Sequence, residues 1–151
     1  MRLVIADTSC FILFKKIDRF DILKNTFREI SVTDKVVQEY GPLPDWISVR
    51  SDYNKEIYHK INQNFGTGES SCIALAQEAV NPILLIDDRK ARKVAEDIGI
   101  QCTGSLGVLL IAKRERAITN VSDILVEIKK TDFRMTNAIA DKLLELANEQ
   151  Q

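Results

Sequence analysis

At 151 residues, with a net charge of −1, 45% hydrophobic and 28% charged residues, the chain has the make-up of a single soluble globular domain, able to bury about 70% of the surface its unfolded form exposes. That balance excludes a low-complexity array and a surface that is one cationic sleeve for nucleic acid, which needs Lys and Arg clustered in excess of acids. Cys10, Cys72 and Cys102 show no CxxC spacing and point to a reducing cytoplasm, and the lone His59 excludes a histidine-based zinc site. Asp7 interrupts the apolar N-terminus and no small-residue cleavage site follows, so no signal peptide is expected, and no apolar stretch is long enough to span a bilayer.

Arg2 to Ala6 reads as a short strand, and Thr8 or Ser9 can cap a helix over Cys10 to Lys16. A second helix is expected over Arg19 to Thr26 and a strand over Glu29 to Val32. Thr33 then opens the short helix DKVVQEY, which Gly41 and Pro42 close. Trp46 to Val49 reads as an edge strand and Asp52 to Asn64 as a polar helix. Beyond the break at Gly66-Thr67-Gly68, a helix over Glu69 to Ala79 buries Cys72, Ile73, Leu75 and Ala76.

Ile83 to Ile86 is a continuous apolar run of the kind a central parallel strand requires, since both its faces are covered. The Asp87-Asp88 step leads into a helix through Ile98, then a brief strand at Ile100 to Thr103 and a helix from Gly104-Ser105. Helices over Val121 to Lys129 and Asn137 to Ala147 follow, the last with Ile139, Leu143, Leu146 and Ala147 on one face, read as core. Strands alternating with helices imply parallel βαβ units with right-handed crossovers, whose ligands bind at the carboxyl ends of the strands.

Against that frame the acidic residues are placed unusually. Asp7 and the Asp87-Asp88 pair both follow strands, and Glu39 and Glu69 sit at helix ends that can border the same crevice. Asp7 is not needed as a cap if Thr8 and Ser9 serve. Glu39 lies in the last turn of its helix, where the dipole disfavours a carboxylate by about 0.3–1 kcal/mol. Glu69 alone has an ordinary explanation, because an acid in a first helical turn is favoured. The doubled Asp after ILLI is the most specific local signal, since one cap needs one Asp.

Carboxylates brought within about 5 Å of each other repel by roughly 3 kcal/mol per pair at an effective dielectric near 20. Such a cluster either takes up protons or holds a cation, and Mg²⁺ and Mn²⁺ prefer these oxygen ligands. Ser9 can orient Asp7. The turn Thr103, Gly104, Ser105 and Gly107 could hold an anion through backbone N–H groups, though close packing explains its glycines better. The basic runs Arg89, Lys90, Arg92 and Lys93, and Lys113, Arg114 and Arg116, read as solvated helix faces, and His59 as solvent-exposed.

The acids Asp7, Glu39, Glu69 and Asp87-Asp88, in the segments IADTSCFILF, VVQEY, GTGESSCIALA, LLIDDRKARKVAEDIGI and TGSLGVLLIAKR, make the chain resemble the PIN-domain ribonucleases, within them the VapC-like toxin group. The resemblance runs from about Leu3 to Leu146 and implies a three-layer α/β/α fold around a mostly parallel sheet. It also implies one or two Mg²⁺ or Mn²⁺ ions on the acidic quartet and single-stranded RNA as substrate. Asp7, Glu39 and Glu69 match the first three acids; Asp88 is preferred for the fourth, with Asp87 its rival. Many relatives carry Asp where Glu69 stands. If the chain is a toxin, a cognate antitoxin protein covers the crevice, and a homodimer is expected.

Two other functions compete. A haloacid-dehalogenase-type phosphatase also places an Asp after its first strand and a doubled Asp later, but it requires a second Asp where Ser9 stands. A PIN-like binding module without activity is the other, and the complete acidic set speaks against it.

Overall fold

The computed structural model describes residues 2–149; Met1, Gln150 and Gln151, which the single-domain reading includes, lie outside the described residues. Contacts group the chain into two compact units. One comprises the residues up to Cys10 with Glu29–Gly104, the other Phe11–Arg28 with the residues from Ser105 onward.

The first unit is built on a five-stranded, entirely parallel sheet: β1 (Val4–Ala6), β2 (Ile30–Thr33), β3 (Ile47–Arg50), β4 (Ile83–Leu85) and β5 (Gln101–Thr103), in the spatial order β3-β2-β1-β4-β5. This is the expected α/β fold. Every residue of β1 and β4 is buried, as their unbroken apolar runs require for strands covered on both faces, whereas the edge strand β3 buries only Ile47 fully. Full burial of side chains such as Ile5, Leu84 and Leu85 contributes about 1.5–3 kcal/mol each.

Four helices lie wholly in this unit: α3 (Asp34–Tyr40), α4 (Lys55–Asn62), α5 (Thr67–Glu78) and α6 (Arg89–Asp97). Thr33 caps α3 by accepting the Val36 N–H at 3.3 Å, and Gly41, at a φ of 100° that suits glycine, ends it. Asn54 rather than Asp52 starts α4, by accepting the Ile57 N–H at 3.0 Å. Helix α5 begins at Thr67, two residues before Glu69, because Gly66 holds the extended geometry of a cap. It runs against β1, β2 and β4 and buries Gly68 and the continuous stretch Ser70 to Ala76.

The second unit is helical: α2 (Phe20–Phe27) packs on α7 (Ser105–Arg114), and α7, α8 (Val121–Lys129) and α9 (Asn137–Leu146) pack on one another. Helix α1 (Thr8–Lys16) starts in the first unit and continues into this one. The face of α9 read as core divides: Leu143 and Ala147 are buried, but Ile139 and Leu146 stay 44% and 55% exposed. In the last turn of α7 the Lys113 ammonium lies 2.9 Å from Glu149, whose carboxylate also accepts the N–H groups of Val121 and Ser122 at 2.7 and 3.0 Å. Among the described residues no helix is long and apolar enough to cross a membrane.

Candidate active site

Strands β1 and β4 are neighbours although about 80 residues separate them, with Val4 beside Ile83 and Ala6 beside Leu85. The chain leaves β1 for β2 on one side and returns to β4 on the other, so the β1–β4 border is the switch point at which open parallel sheets form their crevices. The ladder holds to its tip: the Asp7 N–H donates to Leu85 O at 2.9 Å. Ser9 joins the two tips. Its hydroxyl lies 3.4 Å from Asp7 Oδ2, as donor, and accepts the Asp87 N–H at 3.3 Å.

Asp7 is 4% exposed, and its Oδ1 is buried without a hydrogen-bond partner among the described residues. Burial is the main force on its carboxyl. The backbone N–H groups of Thr8 and Ser9 and the Ser9 hydroxyl favour the anion, the charge of Glu39 opposes it, and the net result is a pKa raised to about 6. Because α1 begins at Thr8 rather than Cys10, Asp7 itself occupies the capping position. The expectation that Thr8 and Ser9 leave Asp7 free of that duty does not hold, because both lie inside the helix; their N–H groups favour the Asp7 anion, while Oδ1 has no hydrogen-bond partner among the described residues.

Glu39 stands in the last turn of α3, as expected, and the dipole penalty there is met by donors from two other helices. Thr67 Oγ1 donates to Glu39 Oε1 at 2.8 Å, the Gly68 N–H to the same oxygen at 2.7 Å, and Thr8 Oγ1 to Oε2 at 3.3 Å. A Cβ at Gly68 would lie 2.9 and 3.0 Å from the two Glu39 oxygens and 3.0 Å from Asp7 Oδ1. Both carboxylates thus converge on the bare Cα of Gly68. Beneath them, Ser71 Oγ donates to Gly68 O at 2.8 Å and lies 2.6 Å from Thr33 Oγ1, so a buried hydroxyl pair ties the start of α3 to the turn carrying Gly68.

Glu69 is half-buried. Burial first, then the charges of Asp88, Asp7 and Glu39, raise its pKa to about 7 against a hydrogen bond from the Gly66 backbone. The four acids Asp7, Glu39, Glu69 and Asp88 therefore act on one another electrostatically. Asp88 caps α6, accepting the Ala91 N–H at 2.9 Å. Asp87 turns elsewhere: its Oδ1 would be 2.7 Å from a Cβ at Gly104, and its backbone carbonyl accepts Arg92 Nη2 at 3.1 Å.

Sequence reasoning missed Thr8, Thr67, Gly68 and Arg92. Thr67 and Gly68 were legible only as a break, and nothing in a sequence shows that a glycine is bare because two carboxylates lie against it. Arg92, read as part of a solvated face, is half-buried with its Nε enclosed and unpartnered among the described residues, while Arg89, Lys90 and Lys93 are exposed as expected. Gly104 is packed against Asp87 and Arg92, in keeping with the close-packing explanation of its turn. His59 is exposed, its ring beside Tyr58. Lys113 is not a solvated cation but the partner of Glu149.

The donor set suits a hard divalent ion. Asp7 offers a buried oxygen with no hydrogen-bond partner among the described residues, Glu39 faces the same point beside Gly68, and Glu69 and the cap residue Asp88 lie within electrostatic reach. Among the described residues no three His, Cys, Asp or Glu side chains are grouped so that together they could hold a metal ion. Two carboxylates are nevertheless enough for Mg²⁺ or Mn²⁺, which commonly complete their shell with water and substrate phosphate oxygens.

No curated protein sequence matches the chain. Residues 3–149 match a family described as PIN domain. PIN domains are typically nucleases and generally use divalent metal ions. With the parallel sheet, its switch point between β1 and β4 and a match over nearly the whole length, the chain belongs to the PIN-domain family.

Proposed function

We propose that the protein is a metal-dependent endoribonuclease that hydrolyses phosphodiester bonds of single-stranded RNA in the cytoplasm, as the toxin of a toxin–antitoxin pair. The observation that carries this reading is the unpartnered, buried Asp7 Oδ1 facing the Glu39 carboxylate across Gly68. Asp7, Glu39, Glu69 and Asp88 would hold Mg²⁺ or Mn²⁺, with Asp87 as the alternative to Asp88. A bound divalent ion supplies a water of lowered pKa and positive charge for the phosphoryl oxygens.

The chain's own residues prepare the place. Asp7 is shielded from water, which strengthens its attraction for any cation. Ser9 fixes the orientation of Asp7, and Thr8, Thr67 and Gly68 hold Glu39 in one rotamer, so the acids need little rearrangement on loading. Loading competes with protons for Asp7 and Glu69, whose carboxyls burial raises above their ordinary range. The exposed Val126, Ile139 and Leu146 of α8 and α9 support an apolar partner surface, either a second copy in a homodimer or the antitoxin.

The test is cleavage of an end-labelled single-stranded RNA with Mn²⁺, with Mg²⁺, with EDTA, and by Asp7→Asn. Metal-dependent internal cuts that Asp7→Asn loses are expected. Equal cleavage by Asp7→Asn would sink the assignment, and turnover of a small phosphate ester without RNA cleavage would move the protein to the phosphatases.

A further inference from the structure

The four basic residues of α6 divide in a way that a solvated face does not. Arg89, Lys90 and Lys93 reach water, Lys93 pairing with Asp97 at 3.2 Å. Arg92 turns inward. A buried, unmatched N–H is costly, so an arginine that encloses its Nε with no partner forgoes the hydration its neighbours keep. Its remaining contacts should say why.

Its main-chain N–H and its guanidinium both donate to one peptide step. The Arg92 N–H donates to Asp88 O at 2.9 Å within the helix, and its guanidinium curls back to donate to Asp87 O at 3.1 Å. A Cβ at Gly104 would stand 3.0 Å from Nη2, 3.7 Å from Cζ and 2.7 Å from Asp87 Oδ1, so the guanidinium and the Asp87 carboxylate fit only because residue 104 has no side chain. On the other side Ser9 Oγ accepts the Asp87 N–H. Asp87 is thereby held at its N–H by Ser9 and at its carbonyl by Arg92, and its carboxylate occupies the space that a side chain at Gly104 would take. The next residue is Asp88, whose charge reaches Glu69.

We infer that Arg92 is a positioning residue: with Gly104 behind it, it holds the Asp87–Asp88 step so that the exposed Asp88, which caps α6, keeps its place relative to Glu69. Its role lies in holding this step and not in contacting an ion or RNA directly. The inference rests on the nuclease reading for its effect on catalysis, but the clamp itself is a property of the metal-free chain.

The experiment compares wild type with Arg92→Ala, Arg92→Lys and Gly104→Ala. Amide exchange of the metal-free proteins, Mn²⁺ affinity by calorimetry, and kcat and KM on a single-stranded RNA are measured. Arg92→Ala is expected to speed exchange of the Asp87 and Ala91 N–H groups while leaving β1 and β2 unchanged. It should weaken Mn²⁺ binding and lower kcat about tenfold, as loss of a residue supporting a ligand does, with KM unchanged. Arg92→Lys should recover part of the loss, because an ammonium can still donate to Asp87 O.

Should Arg92→Ala not fold, Gly104→Ala carries the test, since its Cβ displaces the same groups from the other side. Wild-type exchange, Mn²⁺ affinity and kcat in both alanine variants would overturn the inference. So would a rise in KM alone, which would make Arg92 a contact to RNA. If wild type itself neither binds Mn²⁺ nor cuts RNA, the nuclease reading fails, while the exchange data still decide whether Arg92 holds the step.

Discussion

Glu39 and Gly68, 29 residues apart, are bonded side chain to backbone: the Gly68 N–H donates to Glu39 Oε1 at 2.7 Å, and the missing Gly68 side chain is what lets the carboxylate lie there. The last turn of α3 is thus fixed by the first turn of α5.

Gly68→Ala follows directly. Its backbone is not in the left-handed region, so alanine is not strained there and gains helix propensity of about 1 kcal/mol. The new Cβ, however, drives Asp7 Oδ1 and both Glu39 oxygens away. The metal-free variant is expected to melt at or slightly above the wild-type temperature, with Mn²⁺ affinity reduced 10–100-fold in calorimetry. Unchanged affinity would show that the two carboxylates do not share an ion.

The pH dependence of the metal-free protein has a definite sign. Asp7 and Glu69 have folded-state pKa values raised to about 6 and about 7 from 3.8 and 4.5, so the folded chain holds more protons than the unfolded one across that interval. Their contribution to stability is complete below about pH 4 and is lost as pH rises through 6 and 7. For the buried Asp7 the loss is on the order of 3 kcal/mol or less. Urea unfolding in EDTA should give a lower midpoint at pH 8 than at pH 5, and Mn²⁺ should remove the difference.

Asp7→Asn keeps a capping oxygen while deleting the charge. At pH 8 in EDTA it is expected to be more stable than wild type by about 1–3 kcal/mol, to lose that advantage near pH 4, and to be inactive on RNA with Mn²⁺. A metal-free variant less stable than wild type at pH 8 would mean that Asp7 is a structural cap and nothing more.

Asp87 and Asp88 can be separated. Asp88 acts on Glu69, whereas Asp87 lies against Gly104 and Arg92. Asp88→Asn, which preserves an oxygen for the Ala91 N–H, should depress Mn²⁺ affinity and cleavage more than Asp87→Asn does. It should also lower the Glu69 pKa in a carbon-detected NMR titration. The reverse order of effects would assign the ligand to Asp87.

Glu149 offers a control outside the acids. Burial disfavours its charge, but the N–H groups of Val121 and Ser122 and the Lys113 ammonium outweigh that and lower the carboxyl to about 2 from 4.5. Its stabilisation is present above about pH 4.5 and disappears as pH falls through 2. Glu149→Gln should cost about 1–2 kcal/mol at pH 7 in urea unfolding, chiefly by uncapping α8, with RNA cleavage per folded molecule unchanged.

Much of this architecture was legible in the residue order, because the central strands carry unbroken apolar runs and Thr33, Asn120 and Thr136 cap where their types allow. Helices α3 and α8 have the expected bounds, Asp34–Tyr40 and Val121–Lys129. The acids could be placed at segment ends for the same reason: strand and helix termini are local signals. What periodicity could not give was the side-chain hydroxyl and backbone chemistry that joins distant segments. Ser9 between Asp7 and Asp87, Thr67 on Glu39 and Ser71 on Thr33 are all contacts between residues whose nearness exists only after the sheet forms. Arg92 was misread because a run of four cations averages to a solvated face, while the helix turns one of them to the interior. Ile139 and Leu146 were misplaced in the core because the apolar stripe of α9 is wider than the surface it covers.

The pairing of Val4 with Ile83 has a consequence for the moment of synthesis. Asp7 and Glu39 leave the ribosome early, yet they meet no partner for Asp7 across the sheet until the strand some eighty residues later has been made and has closed a long loop onto β1. A growing polypeptide stopped short of Ile83 carries Asp7, Glu39 and Glu69 but not the strand against which Asp7 is held. Under the proposed function, the place for the ion is therefore complete only once well over half of the length has been made.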